Sequence, residues 1–323
     1  MAAENKSAHP VTGIIGGTGL YDMEGFEGAQ WVDIKSAFGT PSDQLLVGDF
    51  KGRRLVFLPR HGRGHRIPPS QVNYRANIEA LKRTGVTQVI SFSAVGSLRE
   101  DLAPGTFVIV DQYIDRTFAR EKSFFGEGFA AHVSMADPVC ARLGDAIEGA
   151  AKKSKINVVR GGTYIVMEGP QFSTRAESEL YRSWGCDVIG MTNMPEAKLA
   201  REAEMCYATV AMVTDYDCWH PHHEDVTASA ILKVLAENTG RARDLVRAAV
   251  PALDAASLPA KLGGKQVATA SSARNRKEPA GCPHGCDRAL SSAIATASTA
   301  RDPALSRKLS VIAGRVMREK GWS

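Results

Sequence analysis

Short apolar, β-branched runs alternate along the chain with stretches in which apolar residues recur every three or four positions. The runs at 11–15, 54–58, 88–92, 107–110, 158–166 and 206–213 predict strands. The stretches at 73–83, 138–152, 173–184, 195–203 and 226–249 predict helices. Strands separated by helices argue for an α/β fold on a mainly parallel central sheet. Beyond residue 258 the pattern changes: residues 263–281 (GGKQVATASSARNRKEPAG) are polar and bounded by glycine, and they predict a linker. Helical spacing resumes at 288–297 and 303–318, where Leu305, Leu309, Ile312 and Val316 form an apolar stripe suited to docking on the protein's own core. The expected organisation is a disordered 1–10, one domain over 11–258, a linker over 259–284 and a helical extension over 285–323.

Composition narrows the class. The 323 residues are 44% hydrophobic and 23% charged, which suits a globular chain with a sizeable core and excludes disorder throughout. No apolar run approaches the roughly 20 residues of a membrane helix, and residues 1–10 lack a leader's apolar segment, so a cytoplasmic location is expected. The net charge of +5 is uneven: residues 241–323 hold 15 Lys/Arg against 6 Asp/Glu, or +9, leaving −4 for the rest. No aromatic residue lies between Trp219 and Trp322, so this basic end has no stacking platform for single-stranded nucleic acid and is expected to be a solvated surface. Six dispersed cysteines, four of them in apolar stretches, suit reduced core thiols better than a disulfide framework.

Several strand ends hold residues suited to chemistry. GIIGGTG (13–19) places glycine amides and the Thr18 hydroxyl after a strand, as a phosphate loop would; taken alone a plain structural turn is the commoner reading, and the spacing departs from G-x-G-x-x-G. RHGRGH (60–65) follows another strand and offers the planar donor fork of Arg60, or is a charged surface turn. SAVGS (93–97) puts hydroxyls and a glycine at a third strand end. In TDYDCW (214–219), two carboxylates two residues apart repel one another in a desolvated cleft; one pKa rises, leaving a general acid, unless the segment is an Asp-rich helix-capping turn. HPHHED (220–225) bends at proline with no cysteine nearby and makes a poor metal cage. CPHGC (282–286) has three residues between its cysteines and no second ligand pair in sequence, so no metal is expected.

Together GIIGGTGLYD (13–22), PRHGRGHRIPPSQVNYRANI (59–78), SAVGSLRE (93–100), DQYIDRT (111–117), MEGPQFSTRAESELYRSWGCDVIGMT (167–192) and TDYDCW (214–219) resemble the 5′-methylthioadenosine phosphorylases, the trimeric branch of the purine nucleoside phosphorylase superfamily. The match is collinear from about residue 11 to 253. The resemblance implies a mixed central sheet flanked by helices. It also implies phosphorolysis: inorganic phosphate, a co-substrate, attacks C1′ of methylthioadenosine and releases adenine and 5-methylthioribose 1-phosphate, with no metal or organic cofactor.

By the same resemblance, Thr18, Arg60, His61, Ser93, Ala94 and Thr192 hold phosphate, with Ser93 standing where the family has threonine. Met191 packs beneath the ribose, and Phe172 and Ser173 flank base and sugar. Asp215 protonates N7 of the leaving purine, a general-acid effect worth roughly 10²–10⁴-fold, and Asp217 accepts from the 6-amino group. A 6-oxopurine enzyme of this superfamily has asparagine at the first of these positions and glutamate where Ser173 stands, so both differences point to a 6-aminopurine. Ala228, Ile231 and Leu232 fall where the family forms its alkylthio pocket; an apolar pocket discriminates only about 10² against an added hydroxyl, so weak activity on adenosine is expected. His132 matches a residue lent to a neighbouring subunit, which implies a homotrimer with sites at its interfaces. The alternatives are a methylthioinosine or broader purine nucleoside phosphorylase, and, from other classes, a dinucleotide-dependent oxidoreductase using residues 13–19 or a nucleic-acid module on the basic end.

Overall fold

Five of the six residues of Val11–Gly16 are buried, because this strand lies inside the sheet with neighbours on both sides. The computed structural model describes residues 9–17, 19–221, 228–253, 261–262, 265–266 and 281–322. In chain order the main strands are Val11–Gly16 (β1), Phe26–Val32 (β2), Leu45–Phe50 (β3), Arg53–Pro59 (β4), Val86–Ser97 (β5), Phe107–Ile109 (β6), Gln112–Arg116 (β7), Val158–Arg160 (β8), Thr163–Met167 (β9), Val188–Gly190 (β10) and Cys206–Asp215 (β11). The helices are Tyr74–Arg83 (α1), Ala141–Lys153 (α2), Arg175–Ser183 (α3), Asn193–Glu202 (α4), Ala228–Ala249 (α5), Pro303–Lys308 (α6) and Gly314–Glu319 (α7).

All eleven strands join one mixed sheet. The path β2-β3-β4-β1-β5-β10-β9-β7 branches at β5, which also pairs with β11, and β11 leads on to β6 and β8. The central pairs β1·β4, β1·β5 and β5·β11 are parallel, as the alternating pattern predicts; β2·β3, β3·β4, β5·β10 and β6·β11 are antiparallel. One buried apolar cluster gathers residues of α1 and α4, and a second gathers residues of α2 and α5. Capping fixes where the helices start: Asn73 Oδ1 accepts from the Ala76 amide at 3.0 Å before α1, and Thr174 and Glu177 form a reciprocal capping box on α3.

The structure departs from the sequence pattern in four places. Residues 93–97 are not a loop: β5 runs on to Ser97 because β11 continues beside it, with Ala94 opposite Met212 and Gly96 opposite Asp215. The 158–166 run splits into β8 and β9, since Gly161 and Gly162 adopt φ of 87° and 138°, which side chains disfavour. Residues 288–297 form turns and a bridge from Ile294 to Ala131 rather than a helix, because the Ala293 carbonyl and Ala295 amide pair with the backbone of His132 and Ala130. Residues 303–318 form the two short helices α6 and α7, not one. The stripe itself docks inward: Leu309, Ile312 and Val316 are buried in the first cluster, with Leu305 packed against it.

Residues 1–8 and most of 254–280, which hold the expected disordered start and linker, lie outside the described residues, as does 222–225 of the HPHHED motif. Basic residues of the C-terminal part meet acidic residues of the body, as in Arg315 with Glu204, Arg243 with Asp22 and Arg247 with Glu24. Among the described residues no helix is long and apolar enough to cross a membrane.

Candidate active site

β1 and β4 end at Gly16 and Pro59 while β5 and β11 continue past them, and a cavity of about 600 Å³ lies in the resulting crevice. Its wall includes Gly17 after β1, Arg60 and His61 after β4, Phe92 to Gly96 on β5, Met191 and Thr192 after β10, and Met212, Thr214 and Asp215 on β11. Three loops that are far apart in sequence therefore converge. Thr18 and the side chains of Ala228 and Leu232 lie outside the described residues; Ile231 and Leu235 of α5 line the cavity.

Ser93, Thr192 and Tyr164 form a hydroxyl cluster: Ser93 Oγ lies 2.8 Å from Thr192 Oγ1 and 3.0 Å from the Tyr164 phenol. Tyr164 comes this close because Gly190, lacking a Cβ, leaves room for its hydroxyl. Beside it, His61 stacks on His65 with ring centroids 4.3 Å apart. Burial, reinforced by the Arg60 charge, pushes the His61 pKa down to about 4, so the ring is neutral at pH 7. Its Nδ1 lies 2.8 Å from the Ile67 carbonyl, which can only accept, so Nδ1 holds the proton and Nε2 the lone pair.

Arg60 differs from the open fork that its sequence context suggests. It is buried and forms a bidentate pair with Glu196, Nε–H to Oε2 at 2.8 Å and Nη2–H to Oε1 at 3.1 Å; Nη1–H donates to the Phe92 carbonyl and Nη2–H to Ser91 Oγ. Four of its five N–H groups are thus engaged within the protein. Burial works against its charge, but the Glu196 carboxylate more than compensates and raises the pKa. Arg60 therefore presents a partly neutralised positive edge to the cavity.

The two aspartates adjoin this cluster. Asp215 Oδ1 accepts from the Asp217 amide at 2.8 Å and Oδ2 from Thr214 Oγ1 at 2.7 Å. Gly96 permits this placement, since a Cβ there would lie 2.9 Å from Asp215 Oδ1. Burial pushes the Asp215 pKa up. Burial also pushes Asp217 up to about 6, with the Asp215 charge adding to the rise, and Asp217 Oδ2 is buried with no hydrogen-bond partner among the described residues. The buried Ser178 hydroxyl beside it offsets part of the rise, and Oδ2 is open to a further donor from a ligand.

Phe172, 44% exposed, sits at the cavity rim. Ser173 is next to it, and its carbonyl accepts from the Cys218 thiol. His132 is exposed and lies outside its own chain's cavity, its amide bonded to the Ala293 carbonyl.

Two residues that the sequence motifs did not single out hold the site together. Glu196 lies with Leu199 and Ala200 on the buried face of α4, and a charge on an apolar helical face was its readable signal. Arg120 donates from Nη1 to the Met191 and Met194 carbonyls, both at 2.7 Å, and so fixes the peptide beneath the cavity; nothing in its local sequence announces this.

A cavity at the strand ends of a mixed α/β sheet, joining hydroxyls and a neutral imidazole to buried carboxyls, is the site of a group-transfer enzyme. The chain belongs to the phosphorylase superfamily, whose sequence model matches residues 12–251. It is 58% identical over 308 residues to the S-methyl-5′-thioadenosine phosphorylase of Rhodospirillum rubrum, covering 95% of this chain and 97% of the relative, and 56% identical over 306 residues to the namesake enzyme of Cereibacter sphaeroides, covering 95% and 98%. Among solved structures, a methylthioadenosine phosphorylase from an antarctic soil metagenomic library superposes with a TM-score of 0.82 at 42% identity, covering 95% of this chain and 99% of the other. The Schistosoma mansoni methylthioadenosine phosphorylase in complex with adenine gives 0.70 at 38% identity, covering 75% and 91%.

Proposed function

We propose that the chain cleaves S-methyl-5′-thioadenosine with inorganic phosphate, forming adenine and 5-methylthioribose 1-phosphate, with no metal or organic cofactor in the chemical step. The observation that carries this reading is the cavity, where the hydroxyl cluster and the raised carboxyl pair share one wall. Ser93 and Gly96 are three residues apart on β5, and Asp215 lies opposite Gly96, so the two groups stand about 10 Å apart along the strand. That is the span from a phosphate beneath C1′ to the far edge of a purine.

In this reading Ser93, Thr192, the Ala94 backbone and the Thr18 loop bind phosphate. Neutral His61 accepts a hydrogen bond from a phosphate hydroxyl at Nε2, and Arg60, partly neutralised by Glu196, positions the anion without quenching the charge that stabilises a ribosyl cation at C1′. Asp215 delivers a proton to N7 as the C1′–N9 bond breaks, and the unpartnered Oδ2 of Asp217 accepts from the exocyclic amine. Met191 lies under the sugar, Phe172 and Ser173 flank base and sugar, and Ile231 with Ala228 and Leu232 takes the methylthio group.

The enzyme acts in the cytoplasm as a homotrimer. Leu180 and Trp184, one turn apart at the end of α3, and Phe118 are exposed apolar residues suited to a subunit contact, and His132 reaches a neighbour's site. Light scattering should give the mass of three 34.7 kDa chains. The deciding assay follows adenine release with and without phosphate, alongside methylthioinosine and adenosine. Phosphate-dependent adenine release supports the reading; faster cleavage of methylthioinosine would replace it with the 6-oxopurine alternative.

A further inference from the structure

Four of the six cysteines meet at one buried point remote from the cavity wall. Cys140 immediately precedes α2, Cys206 opens β11, and Cys282 and Cys286 lie in the C-terminal extension. All four are buried, their Sγ atoms lie within 4.8 Å of one another, and Cys140 Sγ is 3.7 Å from Cys282 Sγ. The loops are built to converge: the Cys140 amide donates to the Tyr207 carbonyl at 2.8 Å, and the Gly285 amide donates to the Cys282 carbonyl at 2.9 Å. Gly285, at φ 69°, folds CPHGC back so that both of its thiols face the same point.

A tetrahedral ion with metal–sulfur bonds of about 2.3 Å sets its four sulfurs about 3.8 Å apart, close to the separation seen. An iron–sulfur cluster needs its cysteines spread around several bridging atoms, and this set is too tight for one. The surroundings answer the charge of such a centre. Arg142, in the first turn of α2, is buried; Nη2–H donates to Gln88 Oε1 at 2.8 Å, while Nε and Nη1 have no hydrogen-bond partner among the described residues. A buried cation in the first turn of the helix that Cys140 precedes suits an anionic metal–thiolate unit better than four neutral thiols.

We propose that Cys140, Cys206, Cys282 and Cys286 form a closed tetrathiolate site for a single zinc ion, which fastens the C-terminal extension to the phosphorylase domain. Each thiol gives its proton to solvent as its sulfur bonds the metal, and all four positions are filled by protein, so the role is structural. Sequence spacing concealed the site, because the second ligand pair that CPHGC lacks comes from Cys140, 142 residues before Cys282, and from Cys206. The fastened extension also backs the loop of His132, through the His132 amide to the Ala293 carbonyl and the Ala130 amide to Thr296 Oγ1.

The test uses the untagged full chain purified under reductant. Elemental analysis should find about one zinc per chain. Cys286→Ser should lose it while Cys186→Ala, outside the cluster, keeps it, and stripping with a strong chelator should lower Tm by about 5 °C or more. Cobalt(II) loaded into the stripped wild-type chain should show the ligand-field and sulfur charge-transfer bands of a tetrahedral tetrathiolate, which needs no variant to fold. Six free thiols without zinc and without those bands would overturn the proposal. So would a Cys140–Cys282 disulfide in the unreduced protein, or iron in place of zinc.

Discussion

Replacing Asp217 by asparagine should make the protein more stable and less active. The position is left-handed, with φ 51°, a conformation that asparagine accepts as readily as aspartate, so the backbone is undisturbed. Asp217 is 6% exposed, one carboxyl oxygen has no hydrogen-bond partner among the described residues, and the pKa is pushed from 3.8 up to about 6. Holding that group ionised therefore costs about 3 kcal/mol at neutral pH. The sign follows from the folded pKa lying above the unfolded one. The cost is absent below about pH 4, where the group is protonated in both states, grows between about 4 and 6, and is full above about 6.

Asparagine carries no charge to bury, although its amide must still find partners, so part of the 3 kcal/mol is recovered. At about 2–4 °C per kcal/mol for a chain of this size, Tm at about pH 7.5 should rise by at least 3 °C, and the gain should vanish near pH 4. Activity should move the other way. A neutral amide oxygen accepts from the exocyclic amine more weakly than a carboxylate does, and kcat/KM for methylthioadenosine should fall roughly 10- to 100-fold. Thermal melts across pH, paired with initial rates of adenine release, check both halves. A variant that is no more stable at neutral pH, or whose stability difference from wild type is the same at both pH values, would refute the buried-charge account of this carboxyl.

Asp215→Asn should lower kcat by roughly 10²–10⁴-fold on methylthioadenosine while improving the relative rate on methylthioinosine, read by single-turnover base release. An unchanged preference between the two would mean that another group supplies the proton. Glu196→Gln leaves the buried Arg60 guanidinium without its carboxylate and should destabilise the chain by about 3–5 kcal/mol in urea unfolding, with a change in KM for phosphate; a variant as stable as wild type would show that the pair is not needed. Ile231→Ala should lower the ratio of kcat/KM for methylthioadenosine over adenosine by about 10-fold, with little change for adenosine itself. His61 is held neutral down to about pH 4, so its burial favours folding fully above about 6.5 and progressively less as pH falls from there to about 4; His61→Asn should flatten that part of the stability profile in pH-dependent melts.

What the sequence made legible follows from burial. β1, β4, β5 and β11 are apolar runs because neighbours or helices cover them, and their pattern announces them. β2 and β7 are exposed or half-buried along their whole length, and β10 is only three residues long, so none of these has an apolar period to read. The same distinction separates the two chemical sites. Cavity residues such as Arg60 and Asp215 were readable because a strand end in an α/β sheet is where a ligand crevice forms, whichever strands are neighbours. The four cysteines share no such local rule. Cys140 and Cys206 look like ordinary core thiols until the β11 start and the α2 start are brought together, and CPHGC looks like half a site until the extension returns to meet them. Glu196 lies between these cases: its charge on a buried helical face is visible in sequence, but its partner Arg60, 136 residues earlier, is not. Arg60 reads as a phosphate fork from its neighbours, and only the fold shows that most of its donors are already engaged. A strand-end motif therefore locates the anion site, while the strength of its field depends on distant residues.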